Sequence, residues 1–243
     1  MQILKLTDNS KTKFKSNHLN TFGLNYGLPI HGGTCPGATS GSGGCLHLKI
    51  NNGKNATCYM AKLVKAYPNL KKSLDWNTQL VKDKSVEELV QILTDTVTEF
   101  IKRNKGQQLY FRIHTSGDFY SEDYTKAWHA TIKKFPQVQF WVYTRSFFAI
   151  PILVELKNLS IYISADASNW KEAKETHDKY KQYNNLGISY MGNTSPDDLR
   201  FVKCPEITKK ILNTKQQGAC SRCKLCFTHS EKIKLRNINF PIH

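Results

Sequence analysis

A chain of 243 residues is long enough to bury one sizeable core. It contains no run of roughly 18 or more apolar residues, so no membrane span is expected. Its 35 Lys and Arg against 19 Asp and Glu leave a formal charge of +16. That field draws polyanions, nucleic acid first, although a Lys- and Asn-rich composition is also met without any such partner.

Residues 1–34 read as irregular and glycine-punctuated, with one short strand near Thr21–Leu24. The opening residues lack the basic-then-apolar plan of a signal peptide, so a reducing cytoplasm is the expected compartment. There, cysteines serve as metal ligands more readily than as disulfides, and an odd count of seven pairs poorly. Residues 35–58 read as a loop holding Cys35, Cys45 and Cys58, with Gly41-Ser42-Gly43-Gly44 and Asn51-Asn52-Gly53 as turn signals. The glycine run lacks the Lys-Ser/Thr ending of a phosphate-binding P-loop.

A helix is expected from Cys58 to Ala66 and a stronger one over Val86–Arg103. In the second, Val86, Leu89, Val90, Leu93, Val97, Phe100 and Ile101 repeat with helical spacing, and Ser85 with Glu88 forms a capping box. Beyond it the period changes. Leu109–Ile113, Val138–Thr144, Leu159–Ser164 and Ile188–Met191 read as strands, with Arg200–Lys203 as one more. Helices over Ser121–Lys134, Phe147–Leu156 and Asn169–Tyr183 separate them. This alternation implies βα units on a parallel sheet, an α/β class. The chain reads as one domain, 1–243: an N-terminal cysteine-loop and helix region at 1–84, a βα core at 85–203 and a C-terminal segment at 204–243.

Each strand ends in polar or small residues: His114-Thr115-Ser116-Gly117-Asp118, Thr144-Arg145-Ser146, Ser164-Ala165-Asp166, Gly192-Asn193 and Cys204. In parallel βα folds these ends share one side, where ligands bind, so the C-terminal cysteines are expected beside His114 and Asp118. His114 and Asp118 are the candidate catalytic groups. Ser116, Gly117, Asp118, Thr144, Arg145, Ser164 and Asp166 are the candidate cofactor contacts. For Asp118 and Ser121 the alternative is a helix cap, and for Arg145 a salt bridge. Tyr110, Phe140, Trp141, Tyr143 and Tyr162 read as sheet core rather than as a base-stacking platform.

The cysteines carry the strongest chemical signal. Cys220-x2-Cys223-x2-Cys226, with a remote Cys204 before Pro205, follows the ligation pattern of ferredoxin-type [4Fe-4S] clusters. Zinc more often takes two separate C-x2-C pairs, and remains the alternative metal. Cys35, Cys45 and Cys58 offer three thiolates, which on a second cluster would leave one iron open. A zinc site completed by His31 or His47, or no metal, are the alternatives.

The ordered set Thr34-Cys35-Pro36, Cys45, Cys58-Tyr59-Met60-Ala61, His114-x-x-Gly117-Asp118, Trp141-x-Tyr143-Thr144, Ser164-Ala165-Asp166, Cys204-Pro205, the C-x2-C-x2-C run and Phe240-Pro241-x-His243 resembles an uncharacterised family. That family occurs mainly in bacteriophages and mobile elements and is named after mycobacteriophage gene product eighty-eight. The resemblance runs from about residue 28 to 243. The family is in turn distantly similar to radical S-adenosylmethionine enzymes, whose compact C-x3-C-x2-C is absent here. This second resemblance implies a partial (β/α) TIM-like barrel with cysteine-rich metal-binding loops. It also implies a substrate-facing cluster on Cys35, Cys45 and Cys58, S-adenosylmethionine near Ser116, Gly117 and Asp118, and an auxiliary cluster on Cys204, Cys220, Cys223 and Cys226. The compartment that the bacteriophage family implies is the bacterial host cytoplasm during infection.

Two functional expectations follow. One is an iron–sulfur protein with one or two [4Fe-4S] clusters that cleaves S-adenosylmethionine reductively. The other is a non-enzymatic phage protein, stabilised by iron–sulfur or zinc, that binds nucleic acid.

Overall fold

The structure is a computed structural model that describes residues 2–7, 13–14, 17–22, 33–38, 49–50, 55–56, 58–206, 219–227, 229–230 and 232–241. Three short strands open the chain: β1 (Leu6–Thr7), β2 (Lys13–Phe14) and β3 (Asn17–Phe22). A 3-10 turn at Pro36–Ala38 and a hairpin of β4 (Lys49–Ile50) and β5 (Asn55–Ala56) follow. Then come α1 (Tyr59–Ala66), α2 (Pro68–Val81) and α3 (Val86–Arg103). The core alternates β6 (Gln108–His114), α4 (Glu122–Lys134), β7 (Gln139–Thr144), a 3-10 turn at Phe147–Ala149 running into α5 (Ile150–Leu153), β8 (Leu159–Ala165), α6 (Trp170–Tyr180) and β9 (Leu186–Met191). The chain finishes with β10 (Phe201–Lys203), α7 (Ala219–Cys223) and β11 (Asn237–Phe240).

The main sheet runs β1-β3-β6-β7-β8-β9-β11-β10, with β2 also on β3. Every pairing from β3 to β10 is parallel, and β1 and β2 are antiparallel to β3. The expected parallel α/β sheet is therefore present. It is not a closed barrel. Closure would pair the two outer parallel strands, but β1 already occupies one side of β3, and β10 forms the other edge.

From β6 to β9 the spatial order follows chain order, with no reversal of the kind that defines a doubly wound sheet. Helices α2 to α6 collect on one face. Leu89, Leu93, Val97 and Phe100 of α3, Ala127, Trp128 and Ile132 of α4, and Ile150 and Leu153 of α5 join one core with Phe111, Ile113, Phe140, Val142, Ile161, Ile163, Leu186 and Ile188 of the strands. Side chains alternate along a strand, so the intervening residues face the other way. Tyr110, Trp141 and Tyr162 there meet Phe227, Leu235 and Ile238 of the C-terminal segment.

Ser85 and Glu88 close the expected capping box on α3, at 3.2 Å and 2.9 Å. The strand expected near Thr21–Leu24 begins earlier, at Asn17. The helix expected over Phe147–Leu156 is mostly a tight turn, with α5 limited to four residues and Pro151 near its start. The two-residue strands β1, β2, β4 and β5 and the short α7 escape the sequence reading, and so do two larger elements, α2 and β11. α2 turns a face toward the core that includes the buried Asn77, which bonds both backbone groups of Lys5 (2.7 Å and 3.0 Å). β11 inserts between β9 and β10, held by Asn237 and Asn239: Asn237 Oδ1 accepts from the Ile188 amide at 2.9 Å, and Asn239 Nδ2 donates to the Gly192 carbonyl at 2.8 Å.

Candidate metal centre and strand-end network

Gly117 holds φ = 77°, a left-handed conformation that suits glycine, and the turn it makes directs Asp118 back across the strand ends. Asp118 Oδ1 accepts from Thr144 Oγ1 at 2.6 Å and from the Phe119 amide at 2.8 Å, while Oδ2 accepts from the Arg145 amide at 2.7 Å. Its own amide donates to the Thr34 carbonyl at 2.6 Å. Asp118, through its carboxylate and its amide, thus ties together the ends of β6 and β7 and the segment before Cys35. Burial pushes the carboxyl up to about 6, against the pull of the hydrogen bonds it accepts.

Arg145 continues the network. Its Nη1 donates to Asp166 Oδ2 at 2.6 Å and its Nη2 to Ser168 Oγ at 3.3 Å. Asp166 Oδ1 also accepts from the Ser168 amide at 2.8 Å. Burial pushes the Asp166 carboxyl up, but Arg145 and Ser168 outweigh it and hold the group below the ordinary range. Gly37 packs against the Arg145 side chain so closely that a Cβ there would clash.

Cys35 sits within electrostatic reach of Asp118, Cys58 and Arg145. Burial pushes its thiol up first, Asp118 and Cys58 push the same way, and Arg145 opposes them. The strand ends therefore gather Cys35, Cys58, Asp118, Thr144, Arg145 and Asp166. Ser116 is buried nearby in sequence, and Ser164 lies 3.4 Å from Ser189 through their hydroxyls. Cys45, His31, His47 and the run Gly41–Gly44 lie outside the described residues.

His114 is placed differently. Its Nε2 is 3.1 Å from the Tyr124 hydroxyl, and its ring packs against Phe119 and Tyr124 on the helix side. Burial, with Arg112 adding to it, pushes the imidazole down to about 3. Ser121, the other alternative cap, is the N-cap of α4 and accepts from the Tyr124 amide at 3.1 Å.

The C-terminal cysteines form a separate group. α7 places Cys220 and Cys223 on one short turn, and Lys224 (φ = 55°) then reverses the chain toward Cys226. The Lys224 amide donates to the Cys220 carbonyl at 2.9 Å, and the Cys204 amide to the Asn239 carbonyl at 2.9 Å. Cys204, Cys220, Cys223 and Cys226 line one cavity of about 60 Å³, floored by Arg112, Trp141 and Tyr143. The cavity lies over the open face of the sheet, on side chains of β6 and β7. Asp118 and His114 are not among its walls. The expectation that these cysteines sit beside Asp118 and His114 is corrected: a chain segment that covers the sheet face need not share the strand-end rim.

Burial pushes the Cys226 thiol up; a hydrogen bond from Tyr143 opposes this, and Cys220, Cys204 and Cys223 add to the rise. Burial likewise raises Cys223, with Cys204 contributing. The Cys223 and Cys226 thiols therefore resist losing their protons, and a cationic centre beside them would reverse that balance. Among the described residues no group of three or more His, Cys, Asp or Glu is drawn into the arrangement that holds a metal ion. The donor set is nonetheless all thiol, the chemistry that suits iron–sulfur clusters and zinc.

A model of the family described as Gene product 88 matches residues 3–229. The chain belongs to this family. It is 36% identical to the Gene 88 protein of Mycobacterium phage L5 over 211 residues, covering 82% of this chain and 81% of the relative. It is 33% identical to the Gene 88 protein of Mycobacterium phage D29 over 220 residues, covering 85% and 84%. No solved structure matches. The family span starts at residue 3, well before residue 28, and so takes in β1 to β3; it ends before Phe240-Pro241-x-His243. No helix among the described residues is long and apolar enough to cross a membrane.

Arg112 and Glu206, which line the cysteine cavity, were not singled out from sequence. The available signal was a charge inside the apolar run Leu109–Ile113.

Proposed function

We propose that the chain is an iron–sulfur protein that holds one [4Fe-4S] cluster on Cys204, Cys220, Cys223 and Cys226. The observation that carries this reading is that the remote Cys204 and the clustered Cys220, Cys223 and Cys226 line a common cavity. Their spacing is that of cluster ligands. When bound, such a cluster supplies one-electron transfer. The chain's own contribution is local: Trp141 and Phe227 screen water, Tyr143 hydrogen-bonds the Cys226 sulfur, and β10 and α7 set the ligand positions. Anaerobic reconstitution with ferrous iron and sulfide tests the reading. The expected product is brown, with the broad visible absorption of an iron–sulfur centre that Cys226→Ser loses. A colourless protein with one zinc per chain would keep the ligands and reject the cluster.

The radical S-adenosylmethionine reading extends this one. Its support is the proximity of Cys35, Cys58 and Asp118 at the strand ends, on a sheet whose order from β6 to β9 follows the chain with α2 to α6 on one face, as in a partial (β/α) barrel. Cys45 would complete a second cluster. The carboxylate of Asp118 is engaged by its own chain, so its part in this reading is to position Thr144 and Arg145. Reduced protein incubated with S-adenosylmethionine would yield 5′-deoxyadenosine and methionine; intact cofactor, with both clusters present, would reject the enzyme reading.

Nucleic-acid binding is the alternative, favoured by one surface. Tyr67 and Trp76 are exposed on the α1–α2 hairpin among Lys65, Lys71 and Lys72, and Lys5 lies 4.7 Å over the Trp76 ring. Exposed aromatics among lysines suit stacked bases and phosphates. Titration with labelled oligonucleotides at two salt concentrations tests it, and no binding at low salt removes it. In either reading the host cytoplasm is the place of action.

A further inference from the structure

Arg112 occupies a place where a charge is costly. It stands in β6 between Phe111 and Ile113, both fully buried in the helix-side core. Its own side chain turns to the other face and lines the cavity of the four cysteines. The guanidinium carbon lies 5.1 Å from the centre of the Tyr143 ring. Arg112 Nε is buried and has no hydrogen-bond partner, and among the described residues Arg112 forms no ion pair with a carboxylate. Tyr143 in turn hydrogen-bonds Cys226. A cation with an unused donor therefore stands beside four sulfurs, stacked on a tyrosine that already touches one of them. Glu206 is the one carboxylate among the described lining residues.

We propose that Arg112 is the counter-charge of an anionic iron–sulfur centre on these cysteines, and that with Tyr143 it sets the centre's reduction potential. This rests on the cluster reading above. Four thiolates around an oxidised [4Fe-4S] core make a dianion. Reduction adds one electron from an external low-potential donor to the core and makes a trianion; no bond forms or breaks. A nearby cation attracts the trianion more strongly than the dianion, so Arg112 raises the potential. The Tyr143 hydrogen bond acts in the same sense, because donors to a ligand sulfur stabilise the more negative state. Glu206 acts in the opposite sense. Arg112 and Tyr143 are positioning residues: they act on the cluster through its sulfurs and its field.

The test uses full-length wild type, Arg112→Gln, Arg112→Lys and Tyr143→Phe, each reconstituted anaerobically with ferrous iron and sulfide. Dithionite titration with mediators, followed by electron paramagnetic resonance of the reduced state, gives each midpoint. At the wild-type midpoint, the reduced-to-oxidised ratio of Arg112→Gln is expected to fall at least tenfold, a downward shift of about 59 mV for one electron. Tyr143→Phe is expected to shift the same way by less, and Arg112→Lys to restore most of the wild-type value. An unchanged midpoint in Arg112→Gln, with iron retained, overturns the role of Arg112 and leaves the cluster standing. If Arg112→Gln does not fold, an unchanged midpoint in Tyr143→Phe overturns the pair. Wild-type protein that takes up no iron–sulfur centre overturns the cluster reading and this inference together.

Discussion

On the helix side of the sheet, Phe111, Phe140, Val142, Ile161 and Ile163 meet α3, α4 and α5 in a continuous apolar core. On the other side, neighbouring residues of the same strands, Tyr110, Arg112, Trp141, Tyr143 and Tyr162, meet a segment whose only described helix is the short α7 and which carries four cysteines. The first face is stabilised mainly by buried apolar area. The second combines two small aromatic clusters with crowded thiols and a half-buried arginine, Arg112, whose Nε is left without a hydrogen-bond partner. One sheet therefore separates the apolar core from the face that gathers the four cysteines.

The largest expected effect lies on the helix side. Trp128 is fully buried among Phe111 and Phe140, and Trp128→Ala should cost about 3–5 kcal/mol in denaturant unfolding, with or without iron. Phe227→Ala, which empties the smaller cluster against Tyr110 and Trp141, should cost about 2–3 kcal/mol without iron. Equal losses in the two variants would erase the distinction between the faces.

Asp166→Asn tests the rim between them. It leaves the Arg145 guanidinium, only 10% exposed, without its carboxylate, and should cost about 3 kcal/mol at neutral pH. The sign follows from the lowered carboxyl: its stabilisation is present above the unfolded pKa and is lost as pH falls through the folded one. Wild type and variant should therefore converge in acid. A constant gap down to low pH would show that packing, not charge, is responsible.

His114 gives a graded effect that grows only as the solution is acidified. Because burial pushes it down to about 3, the folded state stays neutral while the unfolded chain takes up a proton below its ordinary value of 6.5. Wild type should lose stability relative to His114→Gln as pH drops below that value, by at most about 1.4 kcal/mol per pH unit. Parallel pH profiles would mean that His114 charges in the folded protein and faces water.

The smallest stability effect belongs to the exposed hairpin. Trp76→Ala should change unfolding by no more than about 1 kcal/mol, the size of its contact with Lys5, while weakening oligonucleotide binding. Unchanged binding would remove this surface from the nucleic-acid reading.

The helix-side face was legible in the sequence because its rules are local. α3 announces itself through Ser85, Glu88 and a clean helical period, and β6 to β9 through short β-rich runs between amphipathic helices. α2 was not legible because Asn77, on its inward face, interrupts the apolar period; its partner is backbone at Lys5, far away in the chain. β11 was hidden for the same reason. Asn237 and Asn239 look like turn residues, yet they bond the backbone of β9 and of the residue that follows it. The two cysteine groups could be named from spacing, but their separation could not. It depends on α7 and β11 folding across the sheet face, a long-range fact with no local signature. The absence of barrel closure likewise depends on β1, a two-residue strand.

The central claim concerns the four cysteines on the open face, and metal counting on a chain stripped of the other set tests it most directly. Cys35→Ser/Cys58→Ser protein, reconstituted anaerobically with ferrous iron and sulfide, should retain about four iron and four sulfide per chain. Adding Cys220→Ser and Cys226→Ser to that chain should abolish both. One zinc and no iron, or no metal at all in the first variant, would contradict the account.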